Sequence, residues 1–288
     1  MSIETREARQ PWILLSPALT SILLLLIVPL MFIIVYSFWL RTATGSDQVG
    51  FFLDNWIEVL TDVFYRDILI QTLRIALITT FCCALMGYPA AYYIARSNGN
   101  KAMLLLLLML PFWISYIIRT MSWINILGVS GALNTLMISI GLIDEPIQML
   151  YNEVTVILGL VHFLLPFMVL NIYVSLEDID PNLEDAACSL GASRWQTFLE
   201  VTLRLSLPGL AAGGLLCFVL GAGTYITPVI LGGPRDAMFA NLVFEAIITQ
   251  LDWPLGSVLS LVLIVVLGAI VMVYNRFLGM RQLMKGLG

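Results

Sequence analysis

Only two lysines, Lys101 and Lys285, and one histidine, His162, occur among 288 residues, and charged side chains make up 11% of the chain. Neither lysine ends a G-x-x-x-x-G-K-[ST] run, so the sequence offers no phosphate-cradling loop of that kind for nucleotide hydrolysis. The four cysteines, Cys82, Cys83, Cys188 and Cys217, lack metal-ligand spacing, and three of them fall in or beside apolar runs. Small interior residues are their ordinary use there. No His, Cys and carboxylate constellation is spaced for metal-assisted or covalent catalysis, which counts against a membrane-embedded enzyme. The long apolar runs also lack acids at their centres. An ion-gradient-driven transporter or channel would be expected to carry such carboxylates.

What the chain has in abundance is apolar surface: 60% of its residues are hydrophobic, with a mean hydropathy of +0.95. A soluble protein of this size would have to turn most of that surface to water, so lipid is the expected solvent. A helix crosses the hydrocarbon core with about 20 apolar residues. Six runs qualify, at 12–40, 68–95, 102–127, 154–176, 205–231 and 253–275. The expected architecture is all-α, a single transmembrane domain over 1–288 with six membrane-spanning helices. The first run exceeds a signal-peptide core and no small-residue cleavage site follows it, so it is expected to stay as a helix.

Basic residues set the orientation. Arg6, Arg9, Arg96, Lys101, Arg194, Arg204, Arg276, Arg281 and Lys285 fall in one set of connections. Only Arg41, Arg66 and Arg235 fall in the other. Both termini and the 177–204 connection are therefore expected on the cytoplasmic side. Three connections on the opposite side, 51–64, 132–142 and 236–251, repeat apolar residues at helical spacing but are too short to span. A pathway lid, a docking rim and simple packing are all open to them.

The connection at 181–208 reads PNLEDAACSLGASRWQTFLEVTLRLSLP. Asp180 before Pro181 is a helix start, with Glu184 and Asp185 near the positive end of the helix dipole. Leu183, Ala186, Ala187 and Leu190 make a narrow apolar stripe. Gly191 permits a turn that a Cβ would hinder. Ser193 with Gln196 is a capping-box pair. Trp195, Phe198 and Leu199 are expected to point inward. The result is a helix–glycine–helix knuckle whose tip is small residues, Ala186, Ala187, Gly191 and Ala192, flanked by acids. A rigid tip of this kind suits a cleft on another protein, because a floppy loop forfeits about 0.5–1.5 kcal/mol per immobilised side chain.

Within the apolar runs, Gly221, Gly223, Thr224, Tyr225, Thr227 and Pro228 interrupt the fifth helix with small and polar groups. Such interruptions line solute pathways in transporters, and they equally permit close helix packing. Tyr225 offers a ring face to an ammonium group. Arg119 is open to an ion-pair role or a pathway role. Trp113 and Trp123 serve as weaker aromatic candidates or as interface anchors. His162 is expected to be a hydrogen-bonded interior residue.

The knuckle resembles the EAA loop of ABC-importer permeases: Asp185-Ala186-Ala187, three residues, Gly191-Ala192, then Val201 and Leu203. Three positions depart from the family form. Asp185 stands for Glu, Val201 for Ile, and Arg204 where Pro is usual, while Glu184 supplies a carboxylate one position early. The stretches 110–134 and 227–260 are similar to the spermidine/putrescine-type branch. This resemblance implies a type I importer permease fold in the bacterial inner membrane. It implies a coupling segment at 181–204 whose Glu184, Asp185, Ala186, Ala187, Leu190, Gly191, Ala192 and Ser193 contact an ATPase subunit dimer. It further implies a second, similar permease as heterodimer partner and a periplasmic solute-binding protein. No cofactor is expected on this chain, ATP and Mg being held by the ATPase, and no nucleic-acid partner is expected. Polyamines are the implied solutes, with opines or amino-acid-like compounds as the alternative.

Overall fold

The computed structural model describes residues 10–42 and 44–285. Within them, six helical stretches are long and apolar enough to cross a membrane: Leu15–Tyr36, Val63–Arg96, Tyr116–Ser139, Glu153–Glu177, Arg194–Ala222 and Trp253–Arg276. Where no water reaches the backbone, every N–H and C=O must be paired within the segment, and this drives the apolar runs into helices.

The chain divides into two compact units. One comprises residues 1–62 and 243–265. It holds α1 (Gln10–Tyr36), a short hairpin of β1 (Leu40–Arg41) and β2 (Asp47–Gln48), and α2 (Asp54–Thr61). Leu40 pairs with Gln48 and Arg41 with Asp47. Aromatic rings organise the turn after α1: Phe38 stacks on Phe51 with centroids 4.5 Å apart, and the Phe52 N–H donates to the Phe38 carbonyl at 2.8 Å.

The other unit comprises 63–242 and 266–288. Its centre is three helices packed on one another, α3 (Val63–Arg96), α7 (Glu153–Glu177) and α10 (Leu203–Ala222). Cys83, Ala91, Leu164, Met168, Ile172, Leu176 and Cys217 are fully buried between them. Bilayer proteins have no water-driven force pulling helices together, so close van der Waals contact has to do it, and small residues at the crossing allow it. Gly209 and Gly213 supply that here. A Cβ on Gly209 would stand 2.4 Å from the Asn171 carbonyl oxygen, and one on Gly213 would stand 3.0 Å from Met168 Sδ.

Around this core lie α4 (Lys101–Met109), α5 (Tyr116–Leu127), α6 (Ala132–Ser139), α8 (Pro181–Ser189), α9 (Arg194–Thr197), α11 (Ile226–Leu231) and the start of α12 (Phe239–Phe244). The last long helix, α13 (Trp253–Lys285), contributes residues to both units.

The third apolar run departs from expectation. Instead of one helix over 102–127, α4 ends at Met109. A 3-10 turn covers Leu110–Trp113, Ile114 is extended, and α5 begins at Tyr116. Pro111 is the cause: it lacks an N–H and its ring clashes with the preceding turn. The second helix also starts earlier than expected, at Val63, so the surface helix of 51–64 is confined to α2. The third candidate span is Tyr116–Ser139, which takes in α6, so most of the 132–142 segment expected at the surface belongs to a spanning stretch. The 236–251 segment forms α12 and a π-helical turn at Glu245–Thr249.

Candidate functional site

Local capping builds the knuckle. The Asp180 carboxylate accepts the Asn182 N–H at 2.9 Å and starts α8. Gly191 follows α8 with φ +91°, a conformation that costs a side-chain-bearing residue roughly 1–2 kcal/mol. Ser193 and Gln196 then form a reciprocal capping box, the Ser193 N–H donating to Gln196 Oε1 at 2.9 Å and the Gln196 N–H to Ser193 Oγ at 3.3 Å. After α9 comes a π-helical turn, Phe198–Thr202, which feeds α10.

The direction of the side chains corrects one expectation. Trp195 is 67% exposed and Leu199 also faces out. Only Phe198 turns inward, edge-on to Tyr88 at 5.6 Å and to Tyr92 at 5.8 Å. The extra residue of a π turn shifts the helical phase, and the ring that meets α3 is set accordingly. Leu190 is 90% exposed. The tip is therefore more apolar than its alanines alone imply: Leu190 and Trp195 project from it, with Ala186, Asp185 and Ser193 also exposed.

Glu184 and Asp185 differ sharply. Glu184 Oε1 accepts from Arg96 Nη2 at 2.5 Å and from Thr202 Oγ1 at 2.9 Å. Among the described residues the Asp185 carboxylate has no hydrogen-bond or ion-pair partner, and it is exposed. Lys101 and Glu177 add a second ion pair near the same end of α7, at 2.8 Å.

A polar and aromatic cluster forms where α5 meets α7, α11 and the link between α10 and α11. The fifth run breaks as expected: α10 ends at Ala222, Gly223 and Thr224 are non-helical, and Tyr225 precedes α11. The Tyr116 hydroxyl bonds those of Thr224, at 3.2 Å, and Thr227. The Tyr225 carbonyl accepts from Asn241 Nδ2 at 2.8 Å. Arg119 is only 7% exposed. Its Nη1 donates to the Pro111 carbonyl at 3.1 Å, and its guanidinium lies 5.2 Å from the Phe112 ring, 5.6 Å from Phe163 and 6.0 Å from Tyr116. Trp123 donates its indole N–H to His162 Nδ1 at 3.2 Å, so that nitrogen carries the lone pair. Trp113, in contrast, projects outward at 83% exposure.

Tyr116 and Thr202 stand outside the sequence reading, and Arg96 enters it only as a charge that sets orientation. Their partners lie far off in the chain, so no spacing could flag them. Among the described residues no group of His, Cys, Asp and Glu could hold a metal ion.

No protein-family model matches this chain. It is 36% identical over 256 residues to the spermidine/putrescine transport system permease protein PotB of Escherichia coli K12, covering 88% of this chain and 93% of that protein. It is 33% identical to PotB of Haemophilus influenzae over 251 residues, 87% of each. The inner membrane ABC transporter permease protein YdcU of E. coli K12 is 32% identical over 77% of this chain and 75% of its own length. The fold matches a chain of a bacterial alginate ABC transporter, solved in complex with an alginate-bound periplasmic protein, with TM-score 0.73 at 19% identity, covering 94% and 95% of the two chains. A chain of the MetNI methionine ABC transporter matches with TM-score 0.52 at 16% identity, covering 75% of this chain and 97% of that one. This chain is a multi-pass membrane protein that belongs to the ABC-importer permease family, in the branch of the PotB-type permeases.

Proposed function

We propose that this chain forms one half of the membrane pathway of an ATP-driven importer. The importer carries a polyamine of the spermidine/putrescine class from a periplasmic binding protein to the cytoplasm, across the bacterial inner membrane. The PotB relatives support the solute class. The other half of the pathway is a second, similar permease, giving a heterodimer. This subunit performs no catalysis. ATP and Mg belong to a separate ATPase dimer beneath it, and the knuckle docks in a cleft of that dimer.

The observation that carries the mechanism is the capped, outward-facing tip, with Leu190 90% exposed beyond Gly191. In this reading the termini and the knuckle face the cytoplasm. Nucleotide binding draws the knuckles of the two permeases together and tilts α3, α7 and α10. ATP hydrolysis then resets them, an alternation between two packings biased by ligand and nucleotide. The solute passes the break at Gly223–Tyr225, where Tyr116, Thr224 and Tyr225 present hydroxyls and a ring. Arg119 acts there through structure: it caps the Pro111 carbonyl and holds the rings around it.

Reconstituted vesicles holding this chain, its paired permease and the ATPase test the reading. With the binding protein supplied, radiolabelled spermidine or putrescine should accumulate only with hydrolysable ATP. Uptake of an opine or amino acid in preference to both polyamines would replace the solute. Uptake driven by a proton gradient alone would replace the mechanism.

A further inference from the structure

A lever transmits a push only if its root is stiff. Apolar anchoring holds the two ends of the knuckle, Ile179 in the link before α8 and Phe198 in the π turn, both packed on the helical core, while α8 itself has little. Leu183, Leu190 and Trp195 all face outward, and α8 joins α7 through the short link Asp178–Asp180. A force at Leu190 would turn α8 about that link unless something ties it across to the helical core. From α8 itself, the Glu184 side chain does so. Glu184 Oε1 is shared by Arg96, the last residue of α3, and Thr202, the buried residue that hands the π turn on to α10. The Arg96 and Glu184 side chains are each 22% exposed, so water screens the pair far less than it screens a surface ion pair. The adjacent carboxylate, Asp185, is fixed to nothing among the described residues.

We infer that Glu184 is a positioning residue, the strut that fastens the knuckle to α3 and α10, and that Asp185 is the carboxylate left free for the ATPase. This rests on the proposed docking of the knuckle and divides its two acids into distinct roles. Glu184 works within the chain: it converts displacement of the tip into movement of the two core helices. Asp185 faces outward and offers its charge to a basic group of the partner.

The test uses the complete transporter carrying Glu184→Ala, Asp185→Asn, Arg96→Glu, Glu184→Arg, or the reversal Arg96→Glu with Glu184→Arg. Three quantities are read: ATPase retained on the purified permease, ATP hydrolysis stimulated by loaded binding protein, and solute imported per ATP hydrolysed. Glu184→Ala should keep the ATPase bound yet lower solute imported per ATP by about tenfold, within the ordinary span of an energetic coupling between sites. Asp185→Asn should chiefly reduce the ATPase retained. Reversal of both charges should recover import relative to either single reversal, the signature of a direct pair. Should Glu184→Ala fail to insert, Glu184→Gln carries the same readouts, keeping an acceptor for Thr202 while dropping the charge. Loss of bound ATPase with Glu184→Ala but not with Asp185→Asn would overturn the assignment. Unchanged solute per ATP in the Glu184 variants, or no recovery on double reversal, would also overturn it. An unmodified permease that retains no ATPase would instead refute the docking itself.

Discussion

Arg119 Nη1 donates to the carbonyl oxygen of Pro111 at 3.1 Å. Pro111 breaks the third apolar run, and the same carbonyl accepts the Ile114 N–H at 3.2 Å. A helix interrupted at membrane depth must have its freed backbone groups paired again by protein. Arg119 does this while its charge rests among Phe112, Tyr116 and Phe163. The structure thus gives the intramembrane arginine a stabilising task.

Arg119→Met should therefore destabilise the permease. Loss of the donor and of cation–π contact is worth about 2–4 kcal/mol together. Arg119→Lys should lie between, keeping charge without the planar fork. Unfolding in detergent, followed by aromatic fluorescence, checks both.

Gly209→Ala should disrupt the crossing of α7 and α10, because its Cβ would meet the Asn171 carbonyl at 2.4 Å. Forced overpacking of this kind typically costs about 1–3 kcal/mol. Gly268→Ala is the control, since its Cβ would meet nothing within 4 Å. Folded yield after mild heating should fall for the first variant and hold for the second.

Gly191→Ala and Gly141→Ala both impose a side chain on positive-φ backbone, at +91° and +69°, with open space around each. Their stability losses should be similar, roughly 1–2 kcal/mol. Only Gly191→Ala should weaken retention of the ATPase during purification, because only Gly191 lies at the knuckle tip.

Tyr225→Ala should raise the solute concentration needed for half-maximal uptake by about 2–30-fold, the range equivalent to one ammonium–ring contact. Tyr225→Phe keeps the ring and should remain near the unmodified value. ATPase retention should not change in either. Equal behaviour of the two variants would remove Tyr225 from the pathway.

Much of the helical frame was legible because lipid leaves the backbone so few options. Apolar run length marks spanning helices, and Asp180-Pro181 and Ser193-Gln196 are local capping chemistry that needs no tertiary context. The break at 110–115 is not legible from Pro111 alone. Transmembrane helices tolerate proline, and α3, α7 and α10 continue through Pro89, Pro166 and Pro208. Composition alone does not separate those cases. Trp195, Phe198 and Leu199 share one face of a regular α-helix, and the π turn of Phe198–Thr202 breaks that phase so that only Phe198 turns inward. The difference between Glu184 and Asp185 depends on Arg96, 88 residues upstream of Glu184, and no local pattern carries it.

The most direct measurement is cysteine cross-linking from the tip. With Cys188 replaced by Ser, Leu190→Cys is treated with a short thiol-to-amine cross-linker in membranes containing the whole transporter, and solute uptake is followed in parallel. The expected result is a covalent adduct with the ATPase subunit, formed to an extent that depends on bound nucleotide, together with loss of uptake. No adduct with any ATP-hydrolysing chain, in membranes that keep importing solute while hydrolysis is blocked, would contradict the account.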